Sequence, residues 1–98
     1  MAKTKTKTTG KATPRKTMKA YVLIETAAGK TPSVKRALAR VKSGPSTVVH
    51  LDGVTGPYDF IATVEGPSLD AIGGLVTNEI GVIDGVTRTT TCLAVTIA

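Results

Sequence analysis

The stretch that most constrains this chain is Ala20-Tyr21-Val22-Leu23-Ile24-Glu25-Thr26. In a strand, alternate side chains point to opposite sides of the sheet, so Val22 and Ile24 share one face while Tyr21 and Leu23 share the other. Both sets are apolar, which is the pattern of a strand buried on both faces. A chain of 98 residues makes one small domain. It must therefore cover two faces of a sheet with few elements of its own.

The rest of the chain supplies those elements in a readable order. Ala27-Ala28-Gly29-Lys30 interrupts the first strand, and a helix follows. Thr31 suits its N-cap and Pro32 its first helical position, while Val34, Ala37, Leu38 and Val41 recur at helical spacing. Lys35, Arg36, Arg40 and Lys42 occupy the other side, read as a solvated face with a binding patch as the alternative, and Gly44-Pro45 ends the helix. Ser46 to Val54 reads as the second strand, with Val49 and Leu51 on one face and Val48, His50 and Asp52 on the other. Tyr58 to Glu65 reads as the third, hairpin-paired with the second. Ser68 caps a second helix, with Asp70 in the first turn where the helix dipole favours an acid. Its Gly73-Gly74 pair costs roughly 1 kcal/mol per glycine relative to alanine, which points to close approach of another backbone or to a weak first turn. Val86 to Ile97 reads as the last strand.

The order β-α-β-β-α-β predicts an α+β fold, a ferredoxin-like antiparallel sheet with both helices on one face. The other face needs a cover, and a second copy packed sheet to sheet supplies one as a dimer. Aromatics make up only 3% of the chain, so the core is aliphatic and thin, which also favours oligomerisation.

Charge is unevenly placed. Residues 1–19 hold seven cations and no acid, whereas residues 20–98 hold six cations and seven acids, a net of −1. Residues 1–18 alternate Lys and Thr with little to bury, and are read as a basic disordered tail preceding a domain over 19–98. Such a tail contacts phosphates without sequence preference or serves as a solvated extension; it carries no aromatic for base stacking. The N-terminus has no h-region after its basic start, and no apolar run reaches the ~20 residues of a membrane span. The single cysteine, Cys92, is read as a small buried hydrophobe in an apolar strand, compatible with a reducing cytoplasm. The expected location is cytoplasmic.

The turn Gly53-Val54-Thr55-Gly56-Pro57-Tyr58-Asp59-Phe60 is the candidate functional element: two glycines and a proline, then an aromatic and a charge at a loop mouth. With Gly85-Val86-Thr87-Arg88-Thr89-Thr90-Thr91 opening the last strand, it resembles the effector domain of the Lrp/AsnC transcription regulators, also called the regulation of amino-acid metabolism domain. The resemblance covers residues 20–97. It implies a dimeric α/β barrel that commonly assembles further to octamers as a tetramer of dimers, with amino acids bound in clefts between dimers. Carried over by position, Thr55, Gly56, Tyr58 and Asp59 would line that cleft, together with Thr89 and Thr91. Gly56 lets a backbone approach a ligand closely, Asp59 can pair with an α-ammonium group, and threonine hydroxyls can bond a carboxylate. The alternative role for Asp59 is a bond that stabilises the turn. The family's N-terminal helix-turn-helix has no counterpart in residues 1–19, so this chain alone is not expected to read DNA sequence, and full-length Lrp/AsnC regulators become candidate partners.

Catalysis is the rival reading, since dimeric barrels of this kind include monooxygenases and isomerases. The sequence offers one histidine, His50, which would have to recruit Asp59, Asp52 or Glu65 to hold a metal, with no ligand spacing to support it. There is no nucleophile elbow and no phosphate-binding glycine loop. No catalytic residue, cofactor or metal is expected. A third reading, an ACT-like allosteric module, shares the element order but ordinarily accompanies an enzyme domain.

Overall fold

The computed structural model describes residues 17–95, with only the backbone of 42 and 43. Most of the expected basic tail and the last residues of the expected final strand lie outside that range. Five strands and two helices follow in the order β1 (Met18–Thr26), α1 (Thr31–Leu38), β2 (Lys42–Ser43), β3 (Ser46–Gly53), β4 (Phe60–Gly66), α2 (Leu69–Leu75) and β5 (Val86–Leu93). The sheet order is β2-β3-β4-β1-β5 and every neighbouring pair is antiparallel. This is the expected α+β, ferredoxin-like sheet, with one short hairpin strand added at the edge.

The covered face is built from alternate residues of the two central strands. Ala20, Val22 and Ile24 of β1 and Phe60, Ala62 and Val64 of β4 are all buried, and register sets Val22 beside Ala62 and Ile24 beside Phe60. Val34 and Leu38 of α1 and Ile72 and Leu75 of α2 close over them. Both helices therefore lie on this face, as the patterning requires.

Four local readings are corrected. First, α1 stops at Leu38, and Lys42–Ser43 turns back through Gly44-Pro45 to pair with Ser46 and Thr47. Gly44 sits at φ 54°, the left-handed region such a turn exploits. Thr31 is the first helical residue and Lys30 takes the cap position, with the Thr31 hydroxyl 2.9 Å from that of Thr26. Second, β3 does not alternate strictly. Val48 pairs with Val64 and His50 with Thr63, leaving Val49 as the extra residue of a bulge. Val48 and Leu51 therefore pack on the core, while Val49 is 48% exposed.

Third, the second helix changes pitch. Ser68 caps it as expected, accepting a bond from the Ala71 N–H at 3.0 Å. After Leu75 the chain widens into a π-helical turn, Val76–Ile80, in which the Gly81 N–H reaches back five residues to the Val76 carbonyl at 2.7 Å. The wider turn brings Ile80 under the same face as Leu75, a five-residue spacing that an α-helix would rotate away from the core. Gly73 meets no other backbone: a Cβ there would find nothing within 4 Å. Fourth, Cys92 is exposed and not buried. It pairs with Tyr21 on the side of the sheet away from the helices.

Gly85 is where a glycine is required. It has φ 102°, and a Cβ would stand 2.7 Å from Lys30 Cβ and 2.9 Å from Val34 Cγ2. Its carbonyl accepts the Ala27 N–H at 2.8 Å. The start of β5 is thus pressed against the start of α1, beside the β3–β4 turn's anchoring points.

Candidate ligand cleft at the β3–β4 turn

Residues 54–59 connect β3 to β4 and are closed at the base by the Val54 N–H donating to the Asp59 carbonyl at 2.9 Å. Gly56 at the tip has φ 125°, a conformation that side chains rarely adopt, and space for a Cβ is not limiting there. Glycine is needed at this position for its backbone angle.

Asp59 locks this loop to the rest of the fold. Its N–H donates to the Ile24 carbonyl at 2.9 Å, extending the β1–β4 pairing by one bond. Its Oδ2 accepts from the Thr26 N–H at 2.7 Å and from the Thr26 hydroxyl at 2.9 Å. A carboxylate accepts only, so the single Thr26 hydroxyl proton is committed to it; in the 2.9 Å contact between Thr26 and Thr31, the Thr31 hydroxyl must then donate. The chain Asp59, Thr26, Thr31 ties the turn, the end of β1 and the first residue of α1 together. The positive end of the α1 dipole favours a carboxylate so close. Among the described residues nothing bonds Asp59 Oδ1.

An open cleft of about 660 Å³ lies against this network, lined by Thr31, Gly53, Val54, Thr55, Asp59 and Phe60. Its walls combine a carboxylate and two hydroxyls with the apolar sides of Val54 and Phe60. Such a surface can hold a small polar molecule by a cationic group against Asp59 and an apolar part against Val54.

The six residues singled out from sequence fall in three places. Thr55 and Asp59 line the cleft and Gly56 forms the turn tip. Tyr58 turns away, its hydroxyl meeting the Thr90 hydroxyl at 3.1 Å. Thr90 pairs with Leu23, which places it on the face opposite the helices. Thr89 and Thr91 pair with Ile24 and Val22 and so belong to the helix side of β5. One copy of the chain does not gather all six around a single space. Sequence reasoning missed Thr26, Thr31 and Thr90. The first two were legible only as a strand end and a helix start, and no local signal told that the chain brings both to Asp59, 33 residues from Thr26.

His50 lies elsewhere, on β3, with its Nε2 3.2 Å from the Asp52 carboxylate and both side chains exposed. Among the described residues no three His, Cys, Asp or Glu side chains come together as a metal site. No helix there is long and apolar enough to cross a membrane.

The comparisons with known proteins agree with this architecture. The profile of the Lrp/AsnC ligand binding domain matches residues 19–97. The chain belongs to that family. Among solved structures, TTHA0845 from Thermus thermophilus is similar at 31% identity over 83% of this chain and 96% of that one, with a TM-score of 0.71. FFRP-DM1 is similar at 29% identity over 80% and 99% of the two chains, with a TM-score of 0.69. AsnC of E. coli shares the fold at 22% identity and TM-score 0.73; the match covers 89% of this chain but 58% of AsnC. No curated protein matches the chain.

Proposed function

We propose that this protein is a sensing and assembly module that binds a free amino acid or a related small metabolite at the β3–β4 turn and does no catalysis. In this reading residues 1–18 form a basic tail and residues 19–98 the ligand-binding domain, acting in the cytoplasm. The observation that carries it is the cleft wall itself: Asp59 is held by Thr26 through one oxygen only, at 2.7 and 2.9 Å, in a loop already closed by backbone bonds. A site organised before the ligand arrives loses less of its binding free energy to ordering. A solved relative, the regulator NMB0573 of Neisseria meningitidis, was crystallised with L-Met; it is 16% identical and has a TM-score of 0.66. That likeness supports the fold, and the chemistry of its ligand suits a carboxylate-lined cleft.

The proposed assembly is a homodimer through the uncovered sheet face, extending to an octamer as a tetramer of dimers and able to include full-length Lrp/AsnC regulators. A neighbouring subunit then completes the cleft, bringing Tyr58, Thr89 and Thr91 into a site that one copy leaves divided. Binding and assembly are linked in that arrangement.

The test is a thermal-shift screen against the twenty amino acids, repeated on Asp59→Asn. Asparagine keeps an oxygen for Thr26 but removes the charge. The expected result is a stabilising ligand for the native chain whose effect is lost in Asp59→Asn, with the melting temperature of the free variant little changed. No stabilising amino acid, together with turnover that vanishes in His50→Ala, would overturn the reading in favour of an enzyme.

A further inference from the structure

The hydrogen-bond chain behind the cleft has a direction. Asp59 Oδ2 accepts the Thr26 N–H at 2.7 Å and the Thr26 hydroxyl at 2.9 Å. The Thr31 hydroxyl then gives its one proton to Thr26 across 2.9 Å. Every proton of the chain therefore runs towards Asp59, and what is left over is lone pairs. They belong to Thr31 Oγ and to Asp59 Oδ1, which nothing among the described residues bonds. Both residues line the cleft, so its polar wall accepts hydrogen bonds and offers few. The lining's other hydroxyl, Thr55, is exposed, where water competes for its proton.

Charge follows the same pattern. The lining holds one carboxylate and no cation. Lys30, beside Thr31 in the chain, is paired with Asp84 at 3.2 Å, and Arg88 stands across the sheet from Glu25. Among the described residues no cation comes within ion-pair distance of Asp59. The start of α1 offers little to an anion. Pro32 has no N–H to donate, and the Asp59 carboxylate is already tied to that positive end through Thr26.

Acceptors without donors, and one negative charge without a counter-charge, define what such a wall can recognise. A primary ammonium carries three donors, a positive charge and no acceptor, the complement of a carboxylate oxygen beside an accepting hydroxyl. A carboxylate brought to the same wall would lose water and meet no charged partner. It is better left at the open side of the cleft, in solvent. The copies that the proposed assembly adds bring Tyr58, Thr89 and Thr91, hydroxyls without charge, so the sign of the site is unchanged.

Resting on the reading of this cleft as the effector site, we infer that it is an ammonium site whose ligands are small aliphatic primary amines. A carboxylate on the ligand is tolerated and not required. Asp59 Oδ1 and Thr31 Oγ are the accepting pair, and Thr26 is the positioning residue that holds both. The apolar sides of Val54 and Phe60 take the carbon chain. The ligand class thus widens from amino acids to the amines left when their carboxylate is removed, and it excludes their deaminated acids.

Isothermal titration calorimetry of the full chain tests this with two matched sets: alanine, ethylamine and propionate, then leucine, isopentylamine and isocaproate. In each set the second compound lacks the carboxylate and the third lacks the ammonium. In at least one set the amine is expected to bind within about tenfold of its amino acid, and neither acid should bind. Asp59→Asn should abolish amine binding, and Thr31→Val should weaken it roughly tenfold. Thr31→Ser, which keeps the hydroxyl, should restore it, and Lys30→Gln should leave it unchanged. An amino acid that binds while its amine does not would overturn the inference and leave the effector cleft standing. So would loss of amino-acid binding in Lys30→Gln, which would mean that Lys30 leaves Asp84 to take the carboxylate. Binding of either acid, undiminished amine binding in Asp59→Asn or Thr31→Val, or silence from all six compounds would also overturn it. The effector cleft itself is judged separately, by the thermal-shift screen against the twenty amino acids.

Discussion

The two faces of the sheet are made from the same strands and have opposite characters. On the helix side, Ala20, Val22 and Ile24 are fully buried against Ala62, Val64 and Phe60. On the other side, Leu23 pairs with Ile61 and Tyr21 with Thr63, and Tyr21 is 38% exposed. The covered face is apolar across β1 and β4, with Ser46 of β3 as a buried polar side chain at its edge. The uncovered face has an apolar centre edged by charge: Lys19 beside Glu65, Glu25 beside Arg88, and the His50–Asp52 pair. An apolar centre inside a polar rim is the anatomy of a protein interface, whereas unbroken apolar packing is that of a core. A single chain thus carries one surface buried by its own helices and one with the composition of an interface. The polar rim also limits the contiguous apolar area that the free chain presents to water.

That contrast can be broken from either side. The largest effect is expected on the covered face. Ile24→Ala removes a fully buried side chain between both neighbouring strands and should lower stability by about 2–5 kcal/mol in urea unfolding. A measurement on the uncovered face should separate folding from association. Leu23→Glu places a charge at the centre of the proposed dimer contact; sedimentation velocity is expected to show a monomer, with at least a tenfold weaker association, about 1.4 kcal/mol. Circular dichroism of that variant should remain native. An unchanged dimer would show that the contact lies on another surface. The smallest effect is expected on the outside of α2. Gly73→Ala meets open space and should stabilise the chain by about 1 kcal/mol, the reverse of what a backbone-contact glycine would do. A destabilised Gly73→Ala would mean that a neighbouring subunit approaches this helix in the assembly.

Gly73 and Gly85 show why glycines read differently in sequence and in space. In sequence both are local punctuation. Gly73 is a helix residue with empty surroundings, while Gly85 is held at φ 102° with the side chains of Lys30 and Val34 closer than a Cβ tolerates. The first is set by nothing visible in the fold and the second by a contact across more than 50 residues.

What the sequence determined by itself was everything carried by short-range periodicity and capping. The element order, the alternation of β1 and β4, the Ser68 cap and the glycine at the turn tip all follow from side-chain spacing and backbone sterics within a few residues. The tertiary structure decided what depends on register between distant strands. The bulge at Val49 moved Val48 to the core, because β3 must follow β4 and not its own alternation. A second irregularity leaves Thr87 unpaired opposite Glu25, its hydroxyl donating to the Glu25 carbonyl at 3.2 Å. The π-turn brought Ile80 inward to fill space above the sheet. The candidate site divides the same way. The turn was legible as two glycines, a proline and a charge, but the bonds that set Asp59 against Thr26 and Tyr58 against Thr90 join residues more than 30 positions apart. Hydrogen-bond partners at that separation are chosen by strand order, and strand order is a property of the whole sheet.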